Sequence, residues 1–201
     1  MLLVIIYIAI VLFSVVIHEV SHGAVAHSMG DNTARDLGRL TLNPIKHLDF
    51  FGSILLPILT FSLGGFVFGY ANPVPYNPLN LRDRKYGAAK VAFAGPLVNI
   101  ILALGFGLML RFLPDILGAT IIPEIFSFIV SLNLSLAIFN LLPFPPLDGH
   151  WLLLTFLPNR FAKTKIFIMR YGIFFFIFFL LFLLNFLHPL INFFFRIIVG
   201  T

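Results

Sequence analysis

Two histidines and a glutamate interrupt an otherwise apolar N-terminal run. In "VVIHEVSHGAVAH" they are His18, Glu19 and His22. On a helix, positions i and i+4 project from one face, one turn apart. Two imidazoles so placed can hold one zinc ion, and Glu19 beside the first is placed to take a proton from water. Zinc lowers the pKa of a coordinated water from about 16 to near 7, which makes hydroxide available at neutral pH. Keeping such groups in an apolar segment costs about 3 kcal/mol each on insertion scales, which argues for a function. The bland alternative is a helix end emerging among headgroups, with the three side chains simply solvated.

Two His ligands leave a catalytic zinc one protein ligand short. "FNLLPFPPLDGHW" offers Asp148, flanked by Pro145, Pro146 and Gly149, which break the helix and let the carboxylate turn inward. Taken alone, Asp148 also reads as an ordinary residue of a Pro/Asp/Gly turn. Asn99 and Asn140 are amides in apolar segments. Either could bond a substrate carbonyl or an oxyanion, and interhelical bonding is an equal reading. Gly95, Asn99, Ala103 and Gly107 recur every four residues, as do Ser127, Ser131 and Ser135, and both stripes read as helix-packing faces. His27 and His47 sit at loop boundaries, where solvation suffices. His150 lies near Asp148. Asn185, His188 and Asn192 form a polar stripe that should face the protein core or a second subunit.

The elements that must position these groups are membrane helices. The chain has 201 residues, 60% hydrophobic and 10% charged, with 26 Phe and no Cys. Its mean hydropathy is +1.03. Soluble domains carry about a quarter charged residues, so this is an all-α integral membrane protein. The absence of cysteine excludes disulfides, thiolate ligands and a cysteine nucleophile. The net charge of +5 reads as Lys and Arg holding loops on the cytoplasmic side, not as a nucleic-acid surface. No Lys or Arg precedes the first apolar run, so it is expected to be retained, not cleaved as a signal peptide.

Five stretches are apolar enough to enter a membrane: 2–27, 51–70, 87–112, 121–142 and 171–199. A helical crossing needs about 20 residues, which four of them meet. The second is interrupted at Gly64 and Gly65 and runs into "FVFGYANPVPYNP", which reads as an extended edge segment. If 51–70 dips in and returns, Arg35, Arg39, Lys46, Arg82, Arg84, Lys85, Lys90, Arg160, Lys163, Lys165 and Arg170 share one side. Only Arg111 and Arg196 then fall opposite, an 11 to 2 split. If it spans, the split is 8 to 5. The positive-inside tendency therefore favours four crossings plus a re-entrant helix/β segment lining a cavity, with the N-terminus outside. That topology also brings the inner ends of the first and fourth helices together, and with them His22 and Asp148.

"HEVSH", "GDNTARDLGRLTLNPIKHLDFFGSILLP", "ANPVPYNP", "AGPLVN" and "NLLPFPPLDG", in this order, resemble the site-2 protease family of intramembrane zinc metalloproteases. The resemblance covers roughly residues 10 to 155. It implies one zinc ion held by His18, His22 and Asp148, Glu19 as catalytic base, a three-helix core and a re-entrant substrate-binding segment. It also implies membrane-spanning protein substrates and regulated proteolysis in the cell membrane, while the charge count puts the site toward the cytoplasm. The family's "NPDG"-like motif reads "PPLDG" here, and Asn140 stands in part for the missing Asn. The chain resembles the compact branch that carries the catalytic core alone. One domain, 1–201, is expected, with a catalytic core over 1–155 and an accessory helix over 171–199.

A membrane helix hides its peptide bonds, so cleavage requires local unwinding. An edge strand at Gly65, Phe66, Val67, Phe68 and Gly69 could supply replacement backbone partners. No G-x-S-x-G or second intramembrane Asp supports other protease chemistries. The competing class is a catalytically inactive zinc protein or helix-binding module. Homo-oligomers and regulatory membrane partners remain open.

Overall fold

Apolar runs form the long helices, and Asn-Pro, Asp and Gly positions shape the turns between them. The computed structural model describes residues 1–64, 72–113, 118 and 120–200, with backbone alone at 54, 57, 63, 64 and 179–185. α1 (Leu2–Ser28) is followed by a short α2 (Thr33–Asp36). Asn43 caps a 3-10 turn, Pro44–Lys46, by accepting a hydrogen bond from Ile45 N. Asp49 does the same for a π-helical turn, Phe50–Leu55, accepting from Gly52 N at 2.7 Å. That turn continues as α3 (Leu56–Gly64). α4 (Gly87–Phe112), α5 (Ile122–Asn140), a short α6 (Gly149–Phe156) and α7 (Ala162–Val199) complete the chain. No β-strand occurs among the described residues. The substrate-strand candidates Gly65, Phe66, Val67, Phe68 and Gly69 lie outside the described residues.

α1, α4 and α5 are long and apolar enough to cross a membrane. Their directions follow from who meets whom. Tyr7 donates to Glu124 at 2.6 Å, Asn133 reaches Ser14, and Asp148 meets His22, so α1 and α5 run parallel. Val91 meets His22 and Asn99 meets His18, so α4 runs antiparallel to α1. The chain between Ser28 and Gly87 therefore leaves and re-enters at one end of the bundle, as the same-side reading requires. Arg82 N donating to Met29 O at 2.9 Å closes that excursion.

α4 is the central helix and packs against α1, α5, α6 and α7. Its small face, Gly95, Asn99, Ala103 and Gly107, is buried as expected. Ala103 joins Val130, Leu134 and Ile198 in a core shared by α4, α5 and α7. The serine stripe behaves otherwise. The buried residues of α5 are Val130, Asn133, Leu134 and Ala137, while Ser127, Ser131 and Ser135 are half-buried. Ser135 bonds back to Ser131 O within its own helix. α7 also begins nine residues before the apolar run expected at 171, since nothing from Ala162 to Arg170 breaks a helix. On α7, His188 and Asn192 are exposed and bond each other, so this part of the polar stripe does not face the core. The side chain of Asn185 lies outside the described set. Phe174, Phe178, Phe186 and Phe193 are exposed as well, a face suited to lipid.

The loop side is held by a buried carboxylate. Asp31, 0% exposed, accepts from Thr33 Oγ1 at 2.6 Å, Asn77 N at 2.7 Å, Asn80 Nδ2 at 2.9 Å and Thr33 N at 3.2 Å. Burial pushes its pKa up, but the hydrogen bonds from Thr33, Asn80 and Asn77 outweigh this and hold the carboxyl below its usual range. A depressed folded-state pKa means that the stabilisation is present above the unfolded value of about 3.9 and is lost as pH falls through the folded one. Asp31→Ala is expected to cost on the order of 3 kcal/mol, since charge-assisted bonds are lost and buried donors are stranded. Thermal unfolding in detergent from pH 7 down to 3 checks both statements. The variant should show a smaller acid-induced drop than the parent.

Candidate metal centre

His18 and His22 sit in the second half of α1, on the face turned to α4, and both are buried. Their rings point the same nitrogen inward. His22 Nδ1 donates to Val91 O at 2.7 Å, and His18 Nδ1 lies 2.5 Å from Asn99 Oδ1. Both Nε2 atoms are left facing each other at 3.1 Å. Asp148 completes the group: its Oδ2 lies 3.1 Å from His18 Nε2 and 3.3 Å from His22 Nε2.

Asp148 occupies the N-cap position of α6, where aspartate usually bonds the helix's own N–H groups. Here it makes no such side-chain bond and turns toward the imidazoles. Gly149 makes the turn possible, since a Cβ there would run into the Leu141 and Leu142 carbonyls at the end of α5.

"AGPLVN" has a local account on α4. Gly95 backs the site: a Cβ there would lie 2.5 Å from His22 Nε2 and 2.6 Å from His18 Nε2. Pro96, inside the helix, removes one helical hydrogen bond beside the Val91 carbonyl that His22 uses. Asn99 lies one turn on and holds His18.

The three inward atoms fit a cation. A tetrahedral zinc with bonds of about 2.0–2.1 Å holds neighbouring ligand atoms about 3.3–3.4 Å apart, and the triangle here has edges of 3.1, 3.1 and 3.3 Å. Two imidazole lone pairs and a carboxylate converging on one point repel unless a positive charge lies between them. Among the described residues this is the group of His, Asp or Glu able to hold a metal.

Residues 6–118 and 115–184 match Peptidase family M50. The chain belongs to that family. It is the site-2 protease family that the motifs resemble. The chain is 43% identical over 143 residues to the "Putative zinc metalloprotease YwhC" of Bacillus subtilis, covering 68% of this chain and 62% of the relative. It is 34% identical over 140 residues to the "Putative zinc metalloprotease Rip2" of Mycolicibacterium smegmatis, covering 69% of this chain and 52% of the relative. A Rip2 of Mycobacterium tuberculosis is 32% identical over 139 residues, 69% of this chain and 52% of that one. The chain thus spans between half and two thirds of the length of these relatives. No solved structure matches it.

Around the triangle of this M50 family member, Glu19 stands outside the three inward atoms. Its Oε2 accepts a hydrogen bond from Val74 N at 3.0 Å. Val74 lies between Pro73 and Pro75, which have no N–H, so it is the one donor of that tripeptide. Sequence reasoning did not assign this contact, although the proline spacing carries its signal. Val74 itself is buried against α1, where Gly23 leaves room for it.

Asn99 is completely buried and donates to Asn133 Oδ1 at 2.7 Å. Of its two readings, the interhelical one is therefore observed. Asn140 donates to Leu136 O within α5. His150 pairs with the Leu147 carbonyl. His47 is not a solvated loop residue but is 1% exposed, with Nε2 bonded to Thr41 O and its carbonyl accepting from Asn72 N. Tyr76 is a further neighbour, packed against the cluster of Ala26, Leu81 and Val91. Burial, then the negative charge of Asp148, raises its hydroxyl to about 12, so it remains a proton donor at neutral pH.

Proposed function

We propose that this chain is an intramembrane zinc metalloprotease that hydrolyses peptide bonds within or near the membrane-spanning segments of other proteins. The observation that carries the reading is the triangle of His18 Nε2, His22 Nε2 and Asp148 Oδ2 with Glu19 beside it and outside it. Those three atoms would hold one zinc, which supplies Lewis acidity toward a carbonyl and acidifies water. Asn99 and the Val91 carbonyl orient the two rings. Glu19, steadied by the Val74 N–H, takes the proton of the attacking water and returns it to the departing amine nitrogen as the C–N bond breaks.

A substrate helix must open before its backbone can be attacked. The segment from Gly65, Phe66, Val67, Phe68 and Gly69 to Asn77 is the proposed platform, offering backbone partners by strand addition. Asn140 remains a candidate for the substrate carbonyl once its helix-internal bond is exchanged. The basic residues of the loops joined to the site end of the bundle support a cytoplasmic side for that end, with α7 as a fourth crossing.

Metal content tests the reading without a substrate. Purified parent protein should hold about one zinc per chain, and Asp148→Ala should lose it or bind about 100-fold more weakly, as loss of one of three ligands demands. A folded parent that takes up no zinc would turn the reading toward an inactive helix-binding module.

A further inference from the structure

We infer that Asn133, on α5 and outside the ligand triangle, is a positioning residue that fixes which nitrogen of His18 faces the metal. This rests on the zinc reading above and deepens it. The Ile129 carbonyl can only accept, and Asn133 Nδ2 lies 2.9 Å from it and 3.1 Å from Ser14 Oγ. That atom of Asn133 is therefore the amide donor, and Oδ1 must face Asn99. An acceptor there requires the Asn99 atom at 2.7 Å to be the NH2 group. Asn99 Oδ1 is then turned to His18, so His18 Nδ1 carries the proton and Nε2 keeps its lone pair toward the site.

Each link admits one direction, because the reverse sets two acceptors or two donors face to face. Solvent cannot absorb the mismatch: Asn99 and Asn133 are 0% exposed and Ser14 is 5%. Unpaired polar groups at such depth are costly. The two histidines are thus governed differently. His22 is set in one step by a backbone carbonyl, whereas His18 is set by a chain of side chains drawn from α1, α4 and α5. The Nε2–H form of His18 would aim a hydrogen at the place of the cation. Partners beyond the first ligands commonly change metal affinity by about 10- to 100-fold.

The test uses the full chain in detergent. Zinc affinity is measured by chelator competition, and the ligand field by the absorption spectrum of the cobalt-loaded protein, for Asn133→Leu, Asn99→Leu and the double variant. Asn133→Leu is expected to weaken zinc about 10-fold and to alter the cobalt spectrum, and Asn99→Leu about 100-fold. The double variant should be no weaker than Asn99→Leu, since Asn133 then has no route to His18. Leu134→Ala, in the neighbouring core, should lower the unfolding temperature and leave affinity unchanged. Unchanged affinity in Asn133→Leu, full additivity in the double variant, or an equal affinity loss in Leu134→Ala would overturn the inference.

A second measurement needs no variant. In the zinc-loaded parent, the 15N shifts of His18 should show a proton on Nδ1 and none on Nε2, and a metal-bound Nδ1 would overturn it. A parent that binds no zinc defeats the metal reading itself. One that binds zinc with an unresponsive Asn133 defeats only this inference.

Discussion

Glu19→Gln is expected to keep one zinc per chain and to lower the cleavage rate of a membrane-spanning reporter by about 10²- to 10⁴-fold, the usual worth of a general acid–base group. Glutamine has nearly the shape of glutamate. Its amide oxygen can still accept from Val74 N, which Glu19 does now at 3.0 Å, so the Pro73–Pro75 segment has no reason to leave α1. The ligand triangle does not use Glu19. What the variant removes is the ability to take a proton and return it. Zinc content and cleavage must therefore separate. If both fell together, Glu19 would belong to the metal's ligand set. If cleavage persisted, another group would have to move the proton, and Tyr76, the neighbouring donor held at about 12, would need testing by Tyr76→Phe.

The parts of this architecture that were legible in the sequence are those written as local spacing or as polarity. The i, i+4 histidines and the long apolar runs fall within a residue or two of α1, α4 and α5. Asp148 was legible because the charge count put two helix ends on one side. What escaped depends on helix rotation, which a uniformly apolar helix does not encode. Asn99 in lipid demands a partner, but its sequence cannot say whether that is a substrate or Asn133. The regular serine stripe of α5 was a natural packing face, yet Asn133 and Val130 take the buried side. His47 escaped for another reason. Its burial comes from the return of the chain at Asn72, a long-range closure that no loop composition announces. α7 was cut short because hydropathy marks where a helix meets lipid, not where it begins.

Gly95→Ala should abolish tight zinc binding, weakening it by about 100-fold or more, while helical content is retained. The added Cβ would stand 2.5 Å from His22 Nε2 and 2.6 Å from His18 Cε1 and Nε2, closer than real Cβ contacts come. Neither ring can swing aside freely, since each is tied at Nδ1, one to Asn99 and the other to the Val91 carbonyl. Both ties come from α4 itself, so the helix that brings the clash also holds the rings in its path. Relief requires α4 to withdraw from α1. Its far half resists, because Ala103 is packed with Val130 and Ile198, and a shift of Gly107 would meet Ile198. The triangle must open instead. Gly105→Ala on the same helix is the control: no atom lies within 4 Å of its added Cβ, and alanine favours a helix over glycine by about 1 kcal/mol. It should bind zinc like the parent and melt no lower. Equal zinc affinity in both variants would mean that α4 stands off from α1 in the working protein. The small face would then serve helix packing, and the ring positions would have to be set from α1 and Asp148 alone.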